Sequence, residues 1–230
     1  MRSDPMASSG SDKVQNGENI WGVVVAAGSG TRFGSPKHLI ELAGRPLWRW
    51  ARDALLESGA REVVVVGQVA GGVEGGTERH RSVARGIENV DSSATVIAVH
   101  DAARPLASVD LIKRMYRRLA ESGEDGVVPV IPIVDALKKI HPGTDRLAGT
   151  VDRQEIVAVQ TPQVFRAEML RKAHAHPVSG LPPDDATLVE AIGGRIGTVP
   201  GERSAFKITY PEDLTMAEAL VEAGMVRGKS

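Results

Sequence analysis

The sequence predicts an α/β domain, and three observations carry that prediction. Apolar, β-branched runs alternate with segments of helical period along most of the 230 residues, which is the pattern of a sheet covered by helices. The hydrophobic fraction of 42% can fill a sizeable core, and with aromatics at only 3% that core must be aliphatic. The length fits one domain, or one domain with an excursion. The expected architecture is a Rossmann-like, mostly parallel sheet with helices on both faces and a projecting β-hairpin arm.

Each element has its own justification. Residues 1–18 open with MRSDPMASSGSDK, a polar stretch with no apolar signal core, and read as a disordered leader, with Met6 an alternative start. A single domain is expected over 19–225. Strands are expected at 20–26, 62–66, 95–100, 126–130, 156–159, 195–199 and 205–208, where short apolar runs end in turn residues. Helices are expected at 46–58, 79–89, 108–122, 167–175, 184–191 and 211–223. The last should start at a capping box running from Thr209 to Glu212, with Pro211 in its first turn.

One region breaks the alternation. Residues 132–155 read PIVDALKKIHPGTDRLAGTVDRQE, two strand-like runs around a His-Pro-Gly-Thr-Asp turn with no helical period. A hairpin inserted there either pairs with a second subunit or folds back as a flap over its own site.

Composition excludes several classes. The net charge is −1, from 28 basic and 29 acidic residues, so nothing favours a nucleic acid or a membrane surface as partner, and any anion site must be local. The chain has no cysteine, which excludes disulfides, thiolate metal sites and a cysteine nucleophile, and fits a cytoplasmic protein. No apolar run reaches membrane-spanning length.

The stretch VVVAAGSGTRFGSPKHL, residues 23–39, is the first chemical signal. Gly28, Gly30 and Gly34 space as G-x-G-x-x-x-G and Pro36 interrupts a following helix, so the dinucleotide fingerprint is not met. Lys37 is followed by His38, so the Walker A ending is absent as well. What remains is a backbone loop with two cations, Arg32 and Lys37, suited to a triphosphate whose charge rises during phosphoryl chemistry, or else a surface turn with solvated cations. Ligands of open α/β sheets bind beyond the carboxyl ends of strands. The loops expected at those ends carry Arg32, Lys37, Asp101, Arg104 and Lys207, four cations and one carboxylate from distant segments.

These segments identify a resemblance. AAGSGTRFGSPKH, GGTERHRSVARGI, VHDAARP, VDALKKI, TVDR, QTPQVF, PDDATLVEAIGG and FKITYPEDL, in this order, resemble the methylerythritol phosphate cytidylyltransferase family of nonmevalonate isoprenoid synthesis. The resemblance runs from about residue 21 to 223. It implies a reaction of CTP with 2-C-methyl-D-erythritol 4-phosphate that releases pyrophosphate, with Mg²⁺ bound mainly through the CTP phosphates and no protein metal site. It further implies that Arg32 and Lys37 hold the triphosphate and that Lys207 positions the incoming phosphate. Ala26, Ala27, Gly28, Gly30, Gly76, Thr77 and Ser82 would surround the nucleotide. Asp101, Arg104, Arg153 and Thr161 would bind the polyol phosphate, with Arg153 reaching from the arm into the neighbouring subunit of a homodimer.

The sequence departs from the family pattern at Val25, His38, Ala136 and Pro183, where relatives commonly carry proline, glutamine, threonine and threonine, and residues 66–75 form a shorter segment. Two hydroxyls are thereby removed from the acceptor side. Competing readings are a cytidylyltransferase for ribitol phosphate or another polyol phosphate, and a nucleotide-binding homologue without turnover. HDAARP, where ribitol-phosphate relatives usually have HDSVRP, favours the methylerythritol branch, and the retained Arg32, Lys37 and Lys207 favour turnover.

Overall fold

The computed structural model describes residues 18–28, 33–34, 36, 39–176 and 180–226; the expectations for residues 1–17 and for Gly30, Arg32, Lys37 and His38 lie outside them. In chain order the elements are β1 (Ile20–Val25), a small hairpin of β2 (Glu41–Leu42) and β3 (Arg45–Pro46), α1 (Leu47–Ser58), β4 (Glu62–Val66), α2 (Arg79–Glu88), β5 (Val96–Asp101) and α3 (Val109–Glu121). Then follow β6 (Gly126–Pro132), β7 (Lys138–Ile140), β8 (Leu147–Thr150), β9 (Val157–Val159), β10 (Gln163–Arg166), α4 (Ala167–Ala175), α5 (Asp185–Ala191), β11 (Ile196–Pro200) and α6 (Pro211–Glu222).

The main sheet runs β11-β6-β10-β5-β1-β4, with β9 pairing to the far end of β6. β1 is parallel to β4 and β5, and β11 is parallel to β6, while β9 and β10 run antiparallel to their neighbours. The expected mostly parallel sheet is therefore present. Strand alternation sends neighbouring side chains to opposite faces. Val24, Val96 and Ala98 pack with Leu55 of α1 and Leu111 and Met115 of α3, whereas Val23, Ile97 and Val99 pack with Val83 of α2, Leu170 of α4 and Val189 of α5. Helices cover both faces. A Cβ on Gly86 of α2 would stand 2.5 Å from Val23 Cγ1, so the glycine sets how closely α2 lies on the sheet.

Local chemistry explains the helix starts. Ser108 Oγ accepts from Leu111 N–H at 3.0 Å at the head of α3, and Asp184 accepts from Thr187 N–H at 3.0 Å at the head of α5. At α6 the box is shifted by one residue from the expected Thr209 to Glu212 pairing. Because Pro211 opens the helix, Asp213 is the third helical residue, and its carboxylate accepts from the N–H groups of Thr209 and Tyr210, both at 2.8 Å.

Two strand expectations are corrected. Residues 205–208 form no strand: a 3₁₀ turn, Arg203–Ala205, leads into an extended segment that crosses the strand ends. Its apolar residues are explained by the third core cluster, where Ile208 packs with Leu42 and Leu47. Conversely, β10 was not expected, because Gln163 at its start is polar and a helix follows it directly. Phe165 is buried between β5 and β6, and a Cβ on the facing Gly126 would collide with its ring.

The hairpin arm is present. β7 and β8 pair antiparallel around the expected turn, and no residue between Pro132 and Val159 is buried.

Candidate active site

The site lies where the sheet's chain path reverses. The chain leaves β1 for β4 on one side and returns to β5 on the other, so the carboxyl ends of β1 and β5 part their following loops. Val25 and Asp101 are register partners at those ends.

Asp101 anchors a line of opposite charges. Its Oδ1 accepts from Arg79 Nε at 3.0 Å and its Oδ2 from Lys207 Nζ at 2.6 Å. Arg79 Nη1 reaches on to Asp185 Oδ2 at 2.7 Å, and His174 Nε2 lies 3.0 Å from Asp185 Oδ1. Burial works to raise the Asp101 pKa, but Arg79 and then Lys207 outweigh it and hold the carboxyl well below its usual range. Asp185 is fully buried, and its pKa is also depressed because Arg79 and the bond to His174 overcome desolvation. Burial lowers the Arg79 pKa, yet its two carboxylates raise it overall, so the guanidinium is firmly charged.

One short motif, Gln160-Thr161-Pro162-Gln163, joins this line to the loops around it. Between β9 and β10 the register along β6 slips, since Val130 pairs with Val159 but Val127 with Val164. The register slips by two, and the segment bulges from the ladder after Gln160, whose N–H still bonds the Pro129 carbonyl at 2.8 Å. Gln160 Nε2 donates to the Glu202 carbonyl at 2.8 Å and its Oε1 accepts from Glu202 N–H at 3.1 Å, fixing the segment that leads to Lys207. Thr161 Oγ1 accepts from Asp101 N–H at 3.0 Å and stands 2.9 Å from His100 Nδ1. Gln163 Oε1 accepts from the N–H groups of Asp185 and Ala186, both at 3.2 Å, and its Nε2 donates to Asp184 at 2.8 Å.

Two cavities meet at the ion-pair line. The smaller, about 290 Å³, is lined by Ala27, Gly28, Gly76, Thr77 and Ser82 among others. The larger, about 520 Å³, has Arg104, Thr161, Pro183 and Thr187 in its wall together with Val157 and Val159 from the root of the arm. Asp101, Arg79 and Lys207 line both. The smaller cavity has a backbone-rich wall. Ser82 Oγ accepts from Gly76 N–H at 3.0 Å, and a side chain on Gly76 would set its Cβ 2.6 Å from Arg81 Cβ. Main-chain groups are thus exposed to whatever enters.

Two compartments thus share two cations and one carboxylate, and the family of this fold is known from comparison with other proteins. The profile of the family "IspD: 2-C-methyl-D-erythritol 4-phosphate cytidylyltransferase" matches residues 20–223. The chain belongs to this family. It is 42% identical over 219 residues to 2-C-methyl-D-erythritol 4-phosphate cytidylyltransferase of Rhodococcus jostii (strain RHA1), covering 88% of this chain and 95% of that one. The enzyme of that name from Rubrobacter xylanophilus is 39% identical over 227 residues, covering 90% and 96%. Among solved structures, that of 2-C-methyl-D-erythritol 4-phosphate cytidylyltransferase from Thermus thermophilus superposes with a TM-score of 0.72 at 35% identity, covering 87% of this chain and 98% of that one.

Within this family fold, most of the expected site residues converge. Gly28, Ala27, Gly76, Thr77 and Ser82 share the smaller cavity, and Asp101, Arg104 and Thr161 the larger, with Lys207 at the junction. Ala26 is buried in the sheet, its N–H bonded to the Val66 carbonyl at 2.7 Å, and is not among the lining residues. Arg153 is not brought to the site of its own chain: it is exposed on the arm, where Nη1 donates to the Val134 carbonyl at 2.5 Å. Arg104 Nη1 donates to the Ala205 carbonyl at 2.8 Å; burial lowers its pKa, with Asp101 opposing. Sequence reasoning missed Arg79, Asp185, Gln160 and Gln163. All four stand inside quoted motifs, but their partners lie on other segments, and a single sequence carries no signal for such pairings.

Proposed function

We propose that this chain is the 2-C-methyl-D-erythritol 4-phosphate cytidylyltransferase of isoprenoid precursor synthesis, joining CTP and its acceptor and releasing pyrophosphate. The observation that carries the chemistry is the junction of two cavities at Lys207 and Asp101. A phosphate oxygen of the acceptor attacks the α-phosphorus of CTP in line, the bond to the β-phosphate bridge breaks, and pyrophosphate leaves. Two anions must approach, so a cation at the meeting point lowers the barrier most where charge accumulates. Lys207 holds that place, and Arg32 and Lys37 bear on the triphosphate. Asp101 accepts from acceptor hydroxyls, Arg104 grips the acceptor's phosphate, and Thr161 fixes the backbone of Asp101. The cytosine ring is recognised by main-chain groups around Ala27 and Gly76 with Ser82 beside them.

CTP enters as its Mg²⁺ complex. Among the described residues no group of three or more His, Cys, Asp or Glu side chains is arranged to hold a metal, and both oxygens of Asp101 face cations. Carried on the nucleotide's phosphates, the ion would neutralise the charge of the leaving pyrophosphate. The arm completes the partner's site in a homodimer. Supporting this, Val134, Ile140, Leu147 and Val157 on and beside the arm are 47–64% exposed, and Arg153 lies apart from its own cavities. No described helix is long and apolar enough to cross a membrane, and a reaction on charged, freely diffusing substrates suits the cytoplasm.

A pyrophosphate-release assay with CTP and a panel of polyol phosphates tests the reading. Methylerythritol phosphate should dominate and require Mg²⁺. A preference for ribitol phosphate would reassign the acceptor, a reading for which Pro183 in the acceptor wall leaves room. A lack of turnover with every acceptor would leave a nucleotide-binding protein.

A further inference from the structure

Asp101 faces a conflict in the proposed reaction. Its Oδ2 holds Lys207, yet Lys207 is the cation that the acceptor's phosphate must attract. Once Lys207 turns to the phosphate, Asp101 loses one of two partners at the moment when it must be ionised and correctly aimed. A carboxylate this deeply placed is neutral or misdirected unless another cation holds it.

Arg79 is that cation, and its surroundings keep it from following Lys207. Nε is committed to Asp101 and Nη1 to Asp185. Asp185 is itself immobilised: it is buried, its second oxygen meets His174, and its backbone N–H is taken by Gln163. Lys207, by contrast, has the more exposed side chain, 35% against 24% for Arg79, and a flexible stem. Arg79 lines both cavities, but its Nη2 is buried with no partner among the described residues, and its two bonds go to the carboxylates of Asp101 and Asp185.

The geometry points to Arg79 as a positioning residue for the acceptor: held by Asp185, it keeps Asp101 ionised and aimed at the acceptor's hydroxyls while Lys207 moves to the phosphate. The inference rests on the proposed role of Asp101 and adds the group through which that role is maintained. The planar guanidinium spans two carboxylates at fixed angles, which an ammonium cannot do.

The test is steady-state kinetics of Arg79→Lys, Asp185→Asn, Asp101→Asn and the double variant Arg79→Lys with Asp101→Asn, each checked for folding by circular dichroism. Arg79→Lys should raise the acceptor KM about tenfold and leave the CTP KM within about threefold. Asp185→Asn should act in the same direction with a smaller effect. Because Arg79 works through Asp101, the double variant should have an acceptor KM no higher than Asp101→Asn alone. An unchanged acceptor KM in folded Arg79→Lys, equal shifts for CTP and acceptor, or additive effects in the double variant would overturn the proposal. If Arg79→Lys does not fold, Asp185→Asn decides by the same split. Failure of both to fold would make the line a folding element and overturn it too. Should the wild type prefer ribitol phosphate, the substrate assignment alone fails, and the same measurements with that acceptor still judge Arg79.

Discussion

The two sides of the larger cavity are built on opposite principles. On one side, Lys207, Asp101, Arg79 and Asp185 alternate in sign, and the QTPQ motif ties their loops together within one chain. On the other, the arm over residues 132–155 buries no residue, although it carries Val134, Ile140 and Leu147. A hairpin stabilised only by itself is marginal in water. The first side is tied together within one chain; the second leaves its apolar residues exposed in that chain. That difference divides the site into a part that a single chain preorganises and, on the proposed reading, a part that a second subunit supplies.

The sharpest way to break this comparison is to separate the two parts genetically. Lys207→Ala should lower turnover roughly a hundredfold, since it removes a cation from the point of charge build-up. If the chain forms the proposed homodimer, Arg153→Ala should also disable it, through the partner's site. When the two variants exchange subunits, a heterodimer has one site with both defects and one with neither. Activity should then return, to about half of wild type in pure heterodimer. Exchange proven by mass tagging with no recovery would mean that Arg153 serves its own chain, and the contrast between the two sides would collapse.

A second prediction sharpens the preorganised side. His100 is buried behind Asp101, and burial, opposed by Asp101 and reinforced by Arg104 and Arg79, pushes its pKa down to about 3. Thr161 Oγ1 accepts from Asp101 N–H, so its own hydrogen is free to donate to neutral His100 Nδ1. The unfolded chain protonates this histidine near pH 6.5 and the folded chain does not, so its contribution is complete above that pH and falls away towards pH 3. The loss by pH 5 is about 2 kcal/mol. Asp101 and Asp185, whose pKa values are depressed, lose their contribution only at more acid pH. Urea unfolding at pH 7 and pH 5 should show wild type losing about 2 kcal/mol more than His100→Gln. Equal losses would show that His100 titrates normally and that the floor of the site is open to water.

The same division sets what the sequence made legible. Six helices and six of seven expected strands were readable, because each follows from local periodicity. The strand expected at 205–208 fails because its apolar residues serve a packing cluster away from the sheet, and burial alone does not distinguish the two. β10 was hidden because Gln163 is buried for its hydrogen bonds rather than for hydrophobicity. In the site, residues facing the cavities came through the family's motifs. Arg79, Asp185 and Gln160 are fixed by bonds to distant partners, 42 positions apart in Gln160 to Glu202 and 106 in Arg79 to Asp185, and only the fold brings such partners together.

The smallest expected effect concerns Arg104, which stands between the two principles. One end of its guanidinium is used within the chain, since Nη1 holds the Ala205 carbonyl two residues before Lys207. Its Nε is buried without a partner among the described residues, beside the acceptor cavity. Two roles therefore compete: gripping the acceptor's phosphate, or only bracing the Lys207 segment. If it grips, Arg104→Lys should raise the acceptor KM about tenfold, near 1.4 kcal/mol, with kcat and the CTP KM little changed. If it only braces, Lys207 is displaced instead, so kcat falls while the acceptor KM stays the same. An acceptor titration at saturating CTP separates these outcomes. A fall in kcat alone would remove Arg104 from the acceptor's contacts and leave phosphate binding to Lys207 and the partner's arm.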